Sequence, residues 1–406
     1  MTTAQGVDVA VVGSGPAGMS TAISLKRLAP QLSVVVLEKS VHPRPKLCGG
    51  GVLGRAVPLF NALGLDLHKA PVEAVRAGHV DIRFRQRQIT LSEPEMVFVF
   101  ERSALDHWLV RSARGHGIDI REHSPVRAIS GKPGGFSIET TSGATIQAKV
   151  IVGADGVGSI VRRTFVEPVS RGLSQLVQVE APLKAAPPDT LRFDFTAIHD
   201  GVNGYSWLFP ERDTAGNPVA KIGVYSRHGR SPVPLRDYCI RTASRYGYDV
   251  SPKQVHHWSF REFAAGHSRY SAPGVLLVGD AAGSDPLVAE GIRQAIWWGQ
   301  LAAEHICRKL GQDGDVTLRG YERAVNSSGL GIELKRNRFF ADMLYSPLHP
   351  VGLAAGFYEP RILEKVFAWV AGRNDYENLT AAETAKKAIK AVGRRIIGLS
   401  GPARRR

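Results

Sequence analysis

A chain of 406 residues, 43% hydrophobic and 22% charged, has the composition of a soluble globular protein and the length for roughly two or three interlocked domains. No run approaches the ~20 apolar residues that cross a bilayer, and the first apolar stretch, 7–13, reads as a folded strand and not as a cleavable signal, so a cytoplasmic location is expected. The net charge of +15 is spread without a recognisable nucleic-acid motif, and three distant cysteines with no CxxC pair disfavour zinc sites, iron–sulfur clusters and redox-active disulfides.

The chain begins with a β-branched run, 7–12, suited to a buried parallel strand. It leads into Gly13-Ser-Gly15-Pro-Ala17-Gly18, a helical stretch over 19–28, and a second strand-like run, 32–37, that ends in Glu38-Lys39. Each part of this βαβ unit has a physical role. Gly13 permits the tight turn, Gly15 lets the backbone approach a pyrophosphate, and Gly18 lets the helix pack on the strand. Amide groups at the helix start face the phosphate charge. Glu38, twenty residues after Gly18, is placed to accept hydrogen bonds from ribose hydroxyls. A dinucleotide site follows, but this unit does not separate FAD from NAD.

Next comes Pro43-Arg44-Pro-Lys46-Leu-Cys48-Gly49-Gly50-Gly51, then strand-like runs over 80–100 and the helix-opening segment Arg102-Ser-Ala-Leu105-Asp106. Ser124-Pro125-Val126 precedes a further strand. Residues 150–153 form another strand, running into Ala154-Asp155-Gly156-Val-Gly158. In 204–210 the alternation places Tyr205, Trp207 and Phe209 on one strand face, as a wall for a long apolar ligand or as a hydrophobic sheet core. A strand over 274–278 ends in Gly279-Asp280, followed by Pro286 and Glu290-Gly291-Ile292. Residues after about 326 read as helical. The tail, 386–406, carries eight Lys or Arg and no acid, with apolar residues at helical spacing; such a helix can lie on an anionic membrane or simply pack with a solvated end.

The strand–GxGxxG–helix, Asp155-Gly156 and Gly279-Asp280 segments, in that order, resemble the class A flavin-monooxygenase superfamily, with its p-hydroxybenzoate hydroxylase-like fold, over most of residues 1–300. The resemblance implies FAD. It also implies that Asp280 meets the ribitol and flavin phosphate, and that Asp155 and Gly156 lie near the cofactor and NAD(P)H. Arg102, Pro286, Gly291 and Ile292 would approach the cofactor, with the Val126 backbone against the adenine. Lys39 is grouped with Glu38 in the same site. Against a flavin, Gly49, Gly50 and Gly51 would let the backbone run along the flat ring, where a Cβ would clash.

The Pro-Arg-x-Lys-x-Cys-Gly-Gly-Gly loop, the Tyr205-x-Trp207-x-Phe209-Pro210 motif and the segments starting at Glu333, Pro360 and Gly372 resemble the geranylgeranyl reductase family over nearly the whole chain. That resemblance implies reduction of C=C bonds in prenyl chains, with NAD(P)H or another donor such as ferredoxin, a prenylated small-molecule or lipid substrate, and no nucleic acid. Cys48 is the motif-borne candidate for delivering a proton, or else packs beneath the flavin. Three positions depart from the family pattern. Ala289 stands where Gly precedes Glu, Glu211 follows Phe-Pro in place of Lys, and Lys221-Ile-Gly223 replaces a Gly-x-Gly; together they suggest a specialised substrate. The competing readings are a monooxygenase of the same fold acting on an aromatic or polyketide, a flavin-dependent halogenase, and a flavin-bearing scaffold without turnover.

The expected architecture is α/β: a Rossmann-type FAD-binding domain (1–76, 101–165 and 255–325) interleaved with a mainly antiparallel β-sheet substrate domain (77–100 and 166–254), plus a helical C-terminal cap (326–406) with the basic tail.

Overall fold

The computed structural model describes residues 5–345 apart from 73, 85, 167–172, 184–188, 228–230 and 265–268. The segments at 360–363 and 372–379 and the basic tail, for which the sequence raised a family resemblance and a membrane contact, lie outside the described residues.

Two eight-stranded sheets organise the described chain. In the first, six strands run in the order Ser271–Ala272, Val275–Leu277, Thr145–Gly153, Gln5–Val12, Val34–Leu37, Asp119–Arg121, and two more branch off, Gly135–Thr140 pairing with Thr145–Gly153 and Val126–Lys132 with Gly135–Thr140. Gln5–Val12 pairs in parallel with Val34–Leu37 on one side and Thr145–Gly153 on the other. The chain therefore reverses direction across the sheet at Gln5–Val12, and a crevice opens at the carboxyl ends of the strands, where α/β sheets bind ligands. Val9, Ala10, Val11, Val35 and Val36 are fully buried, as a strand covered on both faces requires. Helix Pro16–Leu28 crosses helix Ile292–Ile306 at Gly299, where a Cβ would lie 2.6 Å from the Ala17 carbonyl oxygen; Ser20 donates to the Ile296 carbonyl at 2.6 Å beside it.

The second sheet runs His256–Arg261, Leu173–Pro182, Pro218–Ser226, Gly204–Arg212, Thr190–Asp194, Ala74–Phe84, Arg87–Phe100, Gly51–Leu53. All its pairings are antiparallel except Thr190–Asp194 with Ala74–Phe84. Helix Leu235–Arg245 covers one face through Tyr238, Cys239 and Ala243, and the opposite face carries the aromatic residues of Gly204–Arg212. Gly51–Leu53 and His256–Arg261 pair within this sheet, although the expected bounds of the FAD-binding domain, 1–76 and 255–325, include both. Backbone pairing assigns them here: the glycine loop leaves the first sheet and ends as an edge strand of the second. Among the described residues no helix is long and apolar enough to cross a membrane.

Candidate active site

The two sheets face one another across a single cleft of about 720 Å³. At its base, Gly13 has φ +102°, and a Cβ there would run into the Ala154 carbonyl. A Cβ on Gly18 would strike the Gly13 carbonyl, so Gly18 serves the helix–strand contact and does not itself line the cleft. Gly15, Ala17 and Lys39 do line it.

Glu38 is buried at the end of Val34–Leu37. Its carboxylate accepts from the Ser14 amide (2.9 Å), the Ser14 hydroxyl (2.7 Å) and the Ser40 amide (3.0 Å), with Arg44 at 3.6 Å. Burial pushes this carboxyl up, but the Ser14 bonds and the Arg44 charge outweigh it and hold the group below its usual range. Glu38 is therefore a fixed anion with acceptor capacity left for a ligand hydroxyl. Arg44, which the sequence left without a role, bridges Glu38 and Asp106 (3.6 Å each) and lines the cleft.

Arg102 opens helix Arg102–Gly115, which Glu101 caps by accepting from the Ala104 amide at 2.8 Å. The Arg102 guanidinium donates to buried Asp106 at 3.0 Å and stands within hydrogen-bonding reach of Cys48. Val126, Asp155, Gly156, Asp280, Gly291 and Ile292 all border the same cleft. Pro286 does not. It is buried, and its carbonyl accepts from the Tyr225 hydroxyl at 2.8 Å, so its contribution is to the support of the loop before Gly291. Two more tyrosines hold that loop: Tyr205 donates to the Val288 carbonyl (2.6 Å) and Tyr345 to that of Leu287 (2.7 Å). No local pattern announces three hydroxyls from separate strands and a helix end converging on three successive carbonyls.

Within this loop Ala289 has φ +57°, in the left-handed region. This conformation suits glycine, the residue that the resemblance leads one to expect here, and alanine there carries strain. Ala289→Gly is expected to raise stability by about 1 kcal/mol, read as a higher denaturant midpoint; an unchanged or lower midpoint would mean that the Cβ contributes packing worth more than the strain.

Cys48, Gly49, Gly50 and Gly51 form the lip between the dinucleotide arm and an apolar chamber. Two of these glycines are required by packing within the protein itself. A Cβ on Gly49 would lie 2.9 Å from the Phe209 ring, and Gly50, at φ +77°, sits against the Phe100 carbonyl with its Cβ position 3.0 Å from Glu211 Oε2. Half-buried Lys46 places its ammonium 3.9 Å from the centroid of the Trp258 ring.

The chamber wall is aromatic. Tyr205 and Trp207 lie with ring centroids 6.0 Å apart, Trp207 and Phe209 6.3 Å, and Phe193 and Phe209 5.1 Å. The rings pack on one another as a sheet core and also line the cleft. Gly223, opposite Trp207 on the neighbouring strand, lies under the indole, which occupies the place of a Cβ. Gly223→Ala is expected to push the indole toward the chamber and raise KM for a long apolar substrate at least threefold, with FAD affinity unchanged; equal KM values would separate Trp207 from substrate binding.

An FAD molecule suits these residues on two observations. Asp155 Oδ1, on the cleft wall, is buried without a hydrogen-bond partner in the protein, while Oδ2 is taken by the Ile160 and Val161 amides. The Cβ direction of Gly15 opens on free space, with only the Arg44 guanidinium near, at 3.9 Å.

Comparison with known proteins agrees with this geometry. A family described as an FAD binding domain matches residues 6–296. A digeranylgeranylglycerophospholipid reductase of Methanocella arvoryzae is 26% identical, the match covering 81% of this chain and 85% of the relative. A menaquinone reductase of Mycolicibacterium smegmatis is also 26% identical, over 73% and 75%. The solved structure of a geranylgeranyl bacteriochlorophyll reductase-like protein from Thermoplasma acidophilum shares the fold with a TM-score of 0.71, at 22% identity over 96% of each chain.

Proposed function

Because this chain belongs to the FAD-binding domain family and is an FAD-dependent oxidoreductase, we propose that it reduces carbon–carbon double bonds in the prenyl chain of a lipid or prenylated small molecule. The observation that carries this reading is the junction at Cys48, where a dinucleotide arm meets an aromatic-walled chamber in one continuous cleft. The similarity to reductases of prenylated lipids and of menaquinone supports the same substrate class.

When bound, FAD supplies a two-electron store able to deliver hydride to carbon. The residues supply the rest. Glu38 would accept from ribose hydroxyls, Gly13, Gly15 and Ala17 would leave room for the pyrophosphate, and Val126 would border the adenine end. Arg102 and Asp280 would flank the ribitol and flavin phosphate, with Lys39, Asp155, Gly156, Gly291 and Ile292 completing the enclosure. Tyr205, Trp207 and Phe209 hold the prenyl chain in one orientation and exclude water, which matters because an isolated alkene offers little polarity to grip. Cys48, at the lip, holds the proton that the second alkene carbon takes up. NAD(P)H or ferredoxin serves as the electron donor. The strained Ala289 on the cleft wall and the aromatic chamber favour a specialised prenyl substrate; Glu211 and Lys221, which the sequence also pointed to, do not line the cleft.

The test is anaerobic. Reduced protein mixed with prenyl diphosphates, prenylated quinones or prenylated phospholipids is expected to reoxidise with one of them and add two hydrogens to it by mass. Reduced protein that waits for oxygen and then inserts an oxygen atom would replace this reading with the monooxygenase.

A further inference from the structure

The two charged departures from the family pattern, ten residues apart in sequence, meet in space. Phe209 and Lys221 are partners across Gly204–Arg212 and Pro218–Ser226, so Glu211 and Lys221 project from the same sheet face as the aromatic wall. Lys221 Nζ stands 2.8 Å from Glu211 Oε1 and 2.7 Å from Oε2, and both side chains are at least 97% buried. The pair lies behind the glycine lip and outside the cleft: Glu211 Oε2 abuts Gly50, whose amide faces Cys48 Sγ at 3.5 Å. On its other side Lys221 reaches Glu180 at 3.6 Å, and that carboxylate is half exposed.

We propose that Glu180, Lys221 and Glu211 form a proton-entry path from the surface to the Cys48–Gly51 lip. The proposal rests on the reductase reading only for the use of the proton. Each double bond reduced consumes one proton beyond the hydride, and the thiol that gives it must be refilled. In the path, the Glu211 O–H bond breaks as a water molecule at the Gly50 lip takes that proton and gives one of its own to the Cys48 sulfur, re-forming the S–H bond. Lys221 then returns a proton to Glu211 and takes one from solvent through Glu180, and no electrons move.

The surroundings favour a carboxyl that exchanges protons near neutrality. Burial pushes Glu211 up to about 8 against the attraction of Lys221, with Glu101 at the adjacent helix cap and Glu180 adding like charge. Because the folded carboxyl binds its proton more tightly than the unfolded one, its contribution to stability is present at low pH and is lost as pH rises from about 4.5 through 8.

Infrared titration of the FAD-bound protein, without substrate, reads this directly. A protonated-carboxyl band that disappears as pH rises toward 9 is expected, and Glu211→Gln should remove it. On mixing into heavy water the band shifts as its proton exchanges, and the exposed-side variant Glu180→Gln should slow that shift at least threefold. A titration identical in Glu211→Gln, or equal exchange rates in Glu180→Gln and the parent, overturns the path. Glu180→Gln keeps the test decisive if Glu211→Gln does not fold. Both infrared effects in a protein that reduces no prenyl substrate would overturn the reductase reading and leave the path standing.

Discussion

Replacing Cys48 with alanine is expected to leave a protein that holds FAD and reduces its prenyl substrate about a hundredfold more slowly, the scale of a positioned proton donor. The retention of FAD follows from how little Cys48 supports. Its sulfur faces the Gly50 amide at 3.5 Å and Arg102, and Arg102 keeps its bond to Asp106 at 3.0 Å without it. The glycine lip is fixed independently by Phe209, the Phe100 carbonyl and Glu211. Cys48→Ser separates proton delivery from shape, since a hydroxyl fills nearly the same space but is a far weaker acid. Single-turnover reoxidation of the reduced protein by substrate is the measurement. A rate within twofold of the parent in both variants would assign Cys48 to packing and move the proton source elsewhere.

The largest loss of stability is expected at Glu333. Its carboxylate joins a buried network with Arg55, Glu290 and Arg293. Arg293 grips Glu290 through two bonds of 2.6 and 2.8 Å and also pairs with Glu333, while Arg55 reaches Glu290 at 3.2 Å and Glu333 at 3.1 Å. Two cations balance two anions, and Gln294 donates a further bond to Glu333 at 3.2 Å. Deleting one partner leaves a buried cation without compensation, so Glu333→Ala should cost about 3–5 kcal/mol. Denaturant unfolding of the FAD-bound protein checks this, and a change below about 1 kcal/mol would mean that water enters and solvates the arginines. The network ties helix Gly329–Leu344 to helix Ile292–Ile306, whose first residues border the cleft, so the same variant should also loosen FAD. The conservative Glu333→Gln keeps the shape and one acceptor and should fall between the two.

The dinucleotide arm was legible because its determinants are local. Gly13, Gly15, Gly18 and Glu38 act through a turn, a helix start and a strand end within one βαβ unit, and the structure places Gly13, Gly15 and Glu38 on the cleft with Gly18 one layer beneath. Pro286 is the opposite case. The family resemblance implies a cofactor contact there, whereas its burial and the Tyr225 bond to its carbonyl are set by a strand more than sixty residues earlier. Arg44 and Lys46 stand in the loop before Cys48, but only the folded chain shows one bridging Glu38 and Asp106 and the other over Trp258.

By itself the sequence determined the α/β class, the βαβ dinucleotide unit and the aromatic alternation of 205, 207 and 209, because backbone sterics and side-chain periodicity act over a few residues. Tertiary structure alone decided that the glycine lip lies on Phe209 and Glu211, that Glu211 and Lys221 compensate one another, and that three tyrosine hydroxyls hold the loop from Pro286 to Val288. Each of these depends on charges or hydrogen bonds between strands whose pairing is fixed by sheet register and burial, which a linear pattern does not encode.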